Sequence, residues 1–367
     1  MTKCWCGNTD FFPFSPDYGE CRSCGTLLYL KDMPREQFLV RDDETDFYGK
    51  KYWLEHQHDA FGFGDIYTRA RNDPTERNLH WLKTLLKYCL PPAKVLELGC
   101  SHGSYVSLLC QAGYDAFGVE MSPWVVEFGQ KTFDVPIFVG PLENLDIAPF
   151  SLDAIALMDV LEHLPDPSST MALCLKLLKP DGLLLIQTPR FKEGMVYSEL
   201  VEQNARFLEM LIPEEHIYLF SQSSVARMFQ QLGAEYVQFE PAIFEHYDMF
   251  FLVSRTPFQV KTAEKIDSAL LGTPHGRLTL ALLDLREREL CLTQRLQDAE
   301  SDRIAHGEQI VTLTEMLKES EADRAARLVQ IETLTEMLKE SEADRAARLV
   351  QIETLTDTLK KRRIIKN

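Results

Sequence analysis

The residues best suited to chemistry begin at 95–104, Val95-Leu96-Glu97-Leu98-Gly99-Cys100-Ser101-His102-Gly103-Ser104, a run from apolar strand through a glycine turn into a helix. Free backbone N–H groups at such a helix start hold anionic or polar parts of a nucleotide. The run is not a dinucleotide fingerprint, because the second and third glycines, counted from Gly99, are replaced by Ser101 and Ser104. It is not a phosphate loop either, since no Gly-Lys-Ser/Thr follows. Glu120 closes the apolar run 115–120, and a carboxylate there accepts hydrogen bonds from both hydroxyls of a ribose. The two features together predict a nucleoside ligand without phosphates.

A second group is Cys4-x-Cys6 and Cys21-x-x-Cys24, each pair followed by glycine, Gly7 and Gly25. Two thiolate pairs on tight turns predict a tetrahedral zinc ribbon over 1–30, which staples a unit too small for its own core. No histidine or open ligand position accompanies them, so the zinc would be structural; unligated or redox thiols are the competing reading. The other five cysteines are scattered, the N-terminus lacks the apolar core of a signal peptide, and no apolar run reaches the ~20 residues of a membrane span. The expected location is the cytoplasm. A net charge of −17 argues against sequence-independent nucleic-acid binding.

These groups need a scaffold. Over 93–256, strand-like KVLEL, DAFGVE, PIFVG, DAIALM and GLLLIQT alternate with helical GSYVSLLCQAG, SPWVVEFGQKTF, PSSTMALCLKLLKP and SQSSVARMFQQLG. That alternation predicts an α/β fold with a parallel sheet covered on both faces. Two strand-like runs across a proline turn, within 235–255, predict an antiparallel edge hairpin. Residues 31–92 read as a helical lid or N-terminal extension, 257–275 as a linker, and 362–367 as a basic tail that could touch anionic lipid. Over 276–361 the sequence TLTEMLKESEADRAARLVQIE occurs twice in succession, a 21-residue period equal to three heptads. Ile310, Leu317, Ile331, Leu338, Ile352 and Leu359 fall on one comb of sevens; Leu313, Leu334 and Leu355 fall on the other, with Ser320, Arg324 and Arg327 interrupting the seam. A helix this long needs a partner for its stripe, so a coiled coil and homo-oligomer are expected.

Glu97, Gly99, Ser101 and Gly103, with the later strings GVEMSP, LENL, DAIALMDVLEHLPDP and KLLKPDGLLLIQTP, resemble the motifs of class I S-adenosylmethionine-dependent methyltransferases over about 45–256. Ser101 stands where that family usually has glycine. The resemblance implies a Rossmann-like class I methyltransferase sheet. It places Gly99, Cys100 and Gly103 beside the methionine moiety, Glu120 on the ribose and Met121 against adenine. Glu143, or Leu142 through its backbone, would meet the adenine amino group, and Asp159 would line the sulfonium side unless it caps the next helix.

Methyl transfer is an in-line displacement that often needs a base on the acceptor. Glu215-His216 resembles the Glu-His pair of sugar C-methyltransferases, which carry a similar ribbon. His216 is thus the first candidate base, followed by His163 and then His246; Tyr48, Tyr52 and Trp53 form a lid or simply core. The expected function is methylation of a hydroxyl, or a carbon, of a sugar, glycan or related small molecule. A quinone-type small-molecule methyltransferase and a silent scaffold acting through its coil are the alternatives.

Overall fold

The computed structural model describes residues 2–31, 33, 38–56, 62 and 64–364, with side chains to 361. The chain forms two compact units, 1–288 and 289–367.

The first unit opens with an antiparallel meander of β1 (Phe11–Pro13), β2 (Tyr18–Cys21) and β3 (Leu27–Tyr29). A two-residue strand from far along the chain, β9 (Tyr218–Leu219), adds to the edge of β3 and makes four strands. Helices α1 (Ile66–Asn72) and α2 (Arg77–Tyr88) lead into the main domain.

That domain alternates β4 (Lys94–Leu98), α3 (Ser104–Ala112), β5 (Asp115–Glu120), α4 (Pro123–Phe133), β6 (Ile137–Val139), β7 (Leu152–Met158), α5 (Pro167–Leu177) and β8 (Leu178–Pro189). Helices α6 (Tyr197–Glu202) and α7 (Gln222–Gln231) and strands β10 (Tyr236–Glu240) and β11 (Asp248–Ser254) complete it. Ser122, Asp166 and Ser221 each cap the following helix by accepting a backbone N–H, and proline begins two of those helices. The sheet order is β10-β11-β8-β7-β4-β5-β6. β4 to β8 are parallel, whereas β11 runs antiparallel between β8 and the edge strand β10. This is the α/β class that the alternation implied, with the Rossmann-like sheet that the resemblance implied and the antiparallel edge pair read from 235–255.

The sheet buries both faces. Along β8, Leu184 and Ile186 enter one core cluster while Leu183 and Leu185 enter the other, and β7 divides Ile155 and Leu157 from Ala154 and Ala156 in the same way. A period of two with both sets apolar is what a doubly covered sheet requires.

Two expectations need correction. The segment 257–275 contains helix α8 (Ala263–Leu270), whose Leu270 is fully buried, so it packs on the first unit and is not a free linker. Helix α9 spans Pro274–Ile364, but its first turns belong to the first unit, where Thr279 is buried and Leu280 and Leu283 pack on the core. In the second unit every described side chain of 289–361 is exposed, including both leucine combs. The basic tail 362–367 lies outside the described side chains.

Candidate active site

A cavity of about 800 Å³ opens where the sheet order reverses, at the carboxyl ends of the parallel strands. Gly99 follows β4, Glu120 ends β5, Leu142 and Glu143 follow β6, and Asp159 follows β7. All of these line the cavity, as do Glu97, Cys100, Ser101, Met121, His163, Glu215 and His216. Gly103 and His246 do not.

Gly99 and Gly103 both have left-handed backbones, φ +70° and +76°. A Cβ on Gly99 would stand 2.5 Å from Val160 Cγ2, and one on Gly103 would stand 2.5 Å from Ile137 Cδ1. Gly103 therefore shapes the turn from behind. Ser101 also adopts a positive φ, +50°, a conformation that costs a side-chain-bearing residue about 1 kcal/mol or more. The Cys100 thiol fills the space a Cβ on Gly118 would take, 2.3 Å away, so its packing fixes the turn against β5.

Glu120 ties the turn down. Its Oε2 accepts from Ser101 N at 3.0 Å, and its Oε1 accepts from Met121 N at 2.7 Å and Ser122 N at 3.2 Å. A carboxylate has about four acceptor sites, so about one remains, on Oε2. Burial raises its pKa, opposed by those three bonds. Glu97 is also buried, and burial holds its carboxyl well above the usual range. Its Oε2 has no hydrogen-bond partner among the described residues, and Glu97 lines the cavity. A buried oxygen left open in this way fits an incoming amine.

Asp159 has φ +57°, a strained position of the kind found at ligand sites. Its Oδ1 accepts from Gln187 Nε2 at 3.0 Å, and Arg77 Nη1 meets its Oδ2 at 3.3 Å. Gln187 is in turn fixed by Trp81 Nε1, 3.0 Å from its Oε1. The cap of α5 is Asp166, so Asp159 is not spent on that role.

On the opposite wall, His163 donates Nδ1–H to Glu215 O at 2.9 Å, with Tyr48 Oη also near at 3.2 Å. His216 donates Nδ1–H to Met210 O at 2.8 Å. Carbonyls only accept, so both neutral rings carry their lone pair on Nε2. The ring centres are 4.9 Å apart. Burial keeps both neutral, with His216 lowered to about 3. Glu162 joins them, its Oε2 accepting from Thr188 Oγ1 at 2.8 Å. Glu215 turns away from its neighbour His216 and pairs with His56 Nε2 at 2.6 Å. Tyr52 and Trp53 are buried against α4 and also line the cavity. His246 is exposed on the β10–β11 connection.

Several residues escaped the sequence reading. Arg69 and Arg77 bring cationic groups to the cavity from α1 and α2, within the stretch read only as a helical lid or extension. Glu162 adjoins His163 and was legible from that pairing alone. Asp248, pushed up to about 8 by burial and then by Asp159, arrives on β11, and nothing local marks it.

The four ribbon cysteines converge as predicted. Cys4 and Cys24 sulfurs are 3.5 Å apart, and those of Cys6 and Cys21 are 3.6 Å apart. A tetrahedron with ~2.3 Å metal–sulfur arms has edges close to ~3.8 Å, so the set fits zinc with little adjustment. Gly7 N and Gly25 N close the two knuckles onto Cys4 O and Cys21 O, and both glycines have positive φ. Cys24 is lowered to about 5, chiefly by its hydrogen bond with Cys4.

The fold and the cavity define an α/β domain with an open site at a sheet switch point. Residues 67–239 match the family model described as a methyltransferase domain. Curated relatives include ubiquinone biosynthesis O-methyltransferases. That of Xanthomonas campestris pv. campestris is 32% identical over 28% of this chain and 45% of its own length; that of Xylella fastidiosa is 33% identical over 34% and 52%. The chain spans about half the length of these relatives. Among solved structures, magnesium protoporphyrin IX methyltransferase from Synechocystis aligns with a TM-score of 0.40 at 17% identity, over 56% of this chain and 98% of that one.

Proposed function

We propose that the chain moves a methyl group from S-adenosylmethionine to an oxygen of a small polar acceptor, a sugar or glycan-linked hydroxyl. The observation that carries this is the two-walled cavity: the Glu97, Gly99–Gly103 and Glu120 wall suits a phosphate-free nucleoside, and the facing wall presents two neutral imidazole Nε2 atoms.

Bound S-adenosylmethionine supplies an electrophilic methyl on a cationic sulfur. Glu120 accepts a ribose hydroxyl through the open site on Oε2, while Met121 and Leu142 offer apolar surface to adenine and Glu143 lies near its edge. Glu97 receives the amine. Arg69 and Arg77, with the N–H groups at the start of α3, suit a carboxylate. Asp159, held by Gln187 and Arg77, lines the sulfur side. His216 or His163 takes the acceptor proton onto Nε2; burial keeps both rings unprotonated at neutral pH, with the lone pair on Nε2 free to accept. Tyr48, Tyr52 and Trp53 exclude water from above.

The ribbon cysteines hold a structural zinc in this reading. The second unit gives the chain its oligomeric state, because its exposed leucine combs find apolar cover in a second copy. Among the described residues no helix is long and apolar enough to cross a membrane, and the reading places the work in the cytoplasm. The names of the curated relatives favour a second reading, a quinone-type aromatic acceptor. Calorimetry with S-adenosylhomocysteine tests the nucleoside wall and separates an enzyme from a silent scaffold. Mass spectrometry of glycans and small metabolites, with and without the protein, then seeks a gain of one methyl. A shift on a lipid-soluble phenol and none on glycans selects the second reading.

A further inference from the structure

The ribbon does more than staple the N-terminus. Its sheet is completed by β9, which begins two residues after His216. Leu27 pairs with Leu219 and Leu28 with Tyr218 in antiparallel register. Tyr29 N donates to Ile217 O at 3.0 Å. Tyr18, almost wholly buried on β2, donates its hydroxyl to His216 O at 3.0 Å. From the other side, Ile217 N donates to Glu162 O at 2.9 Å, and His216 N donates to Ile212 O at 3.0 Å. The backbone at 216–219 is thus clamped between the ribbon and the turn that carries Glu162 and His163. Farther along, Arg227 binds the Ser23 carbonyl inside the second cysteine knuckle.

We infer that Tyr18 is a positioning residue for His216 and that metal loading of the ribbon sets the acceptor wall of the cavity while leaving the nucleoside wall intact. This rests on the function reading above for the roles of the two walls. Strands of three and four residues are too short to persist on ladder bonds alone: Tyr18, Leu27, Leu28 and Tyr29 seat β2 and β3 in the core, and the cysteine knuckles that join the strands depend on the metal. When β2 and β3 loosen, the His216 carbonyl loses its donor Tyr18 and the Ile217 carbonyl loses its donor Tyr29. The side chain keeps its Nδ1 bond to Met210 and its ring contact with His163, but the backbone that carries it is loosened, and Nε2 no longer holds one direction. None of the hydrogen bonds that fix Glu120, Ser101 or the glycine turn involves a ribbon residue. An agent that strips or oxidises the four cysteines would therefore disable proton removal while S-adenosylmethionine still binds.

The test uses the full chain, zinc-loaded and after chelation, with regional amide exchange and S-adenosylhomocysteine calorimetry as readouts. Metal removal is expected to speed exchange over 212–221 at least tenfold, with 95–121 and the nucleoside affinity changed less than threefold. Tyr18→Phe should keep the zinc and raise exchange over the same segment severalfold. Uniform loosening of 95–121 and 212–221 alike would overturn the inference, as would unchanged exchange at 212–221 in the metal-free chain. If the intact protein fails to bind S-adenosylhomocysteine, the function reading falls, and the exchange pattern still decides the coupling.

Discussion

The Glu120→Ala substitution tests the nucleoside wall most directly. In the intact protein this carboxylate accepts three backbone N–H bonds, from Ser101, Met121 and Ser122, at 2.7–3.2 Å. About one acceptor site is left for a ligand hydroxyl, so the substitution removes about one charge-assisted hydrogen bond, worth ~1.5–3 kcal/mol. That predicts an affinity for S-adenosylhomocysteine lower by about 10- to 150-fold. It also leaves three backbone donors to find water, so the melting temperature should fall by several degrees. Glu120→Gln separates the two effects. It keeps the volume and one carbonyl oxygen but removes the charge, and should lose affinity with a smaller loss of stability. Isothermal titration on protein shown to be folded by circular dichroism reads the result. A folded Glu120→Ala chain that binds within threefold of wild type would refute the assignment of this carboxylate to the ribose.

Three further outcomes follow from the geometry. Gly99→Ala should destabilise by roughly 2–3 kcal/mol in urea unfolding, from the left-handed backbone and the 2.5 Å approach to Val160; adding Val160→Ala should recover the contact part and not the backbone part. His216 has its pKa lowered to about 3 in the folded chain, so the unfolded chain takes its proton first. Its contribution is full above pH ~6.5 and shrinks by ~1.4 kcal/mol per pH unit as pH falls toward 3; His216→Phe should therefore gain on wild type by that slope below pH ~6.5, and parallel curves would contradict the burial argument. Ending the chain at residue 288 should preserve S-adenosylhomocysteine binding and yield a monomer in sedimentation, whereas the full chain sediments as an oligomer that Ile331→Glu with Leu334→Glu disrupts. A monomeric full chain at micromolar concentration would remove the coil from that role.

The sequence by itself determined the elements and half of the site. Strand and helix periods, Ser122-Pro123, Asp166-Pro167 and the glycine turn are local signals, because caps, turns and amphipathic faces are set within a few residues. Glu97, Gly99, Ser101 and Glu120 were legible for the same reason: they sit at strand ends whose order the alternation fixes. The cysteine set was legible because metal spacing is written in the chain. Tertiary structure alone decided the rest. It brought Arg77 from α2 onto Asp159, and Asp248 from an antiparallel strand into the same cavity. It turned Glu215 toward His56 and so separated that carboxylate from its neighbour. It joined Tyr18 to His216 across nearly two hundred residues, through a two-strand register that no local pattern encodes. Pairings of that kind depend on which edges and faces the packed core leaves beside one another. That is a property of the assembled sheet, and no residue window carries it.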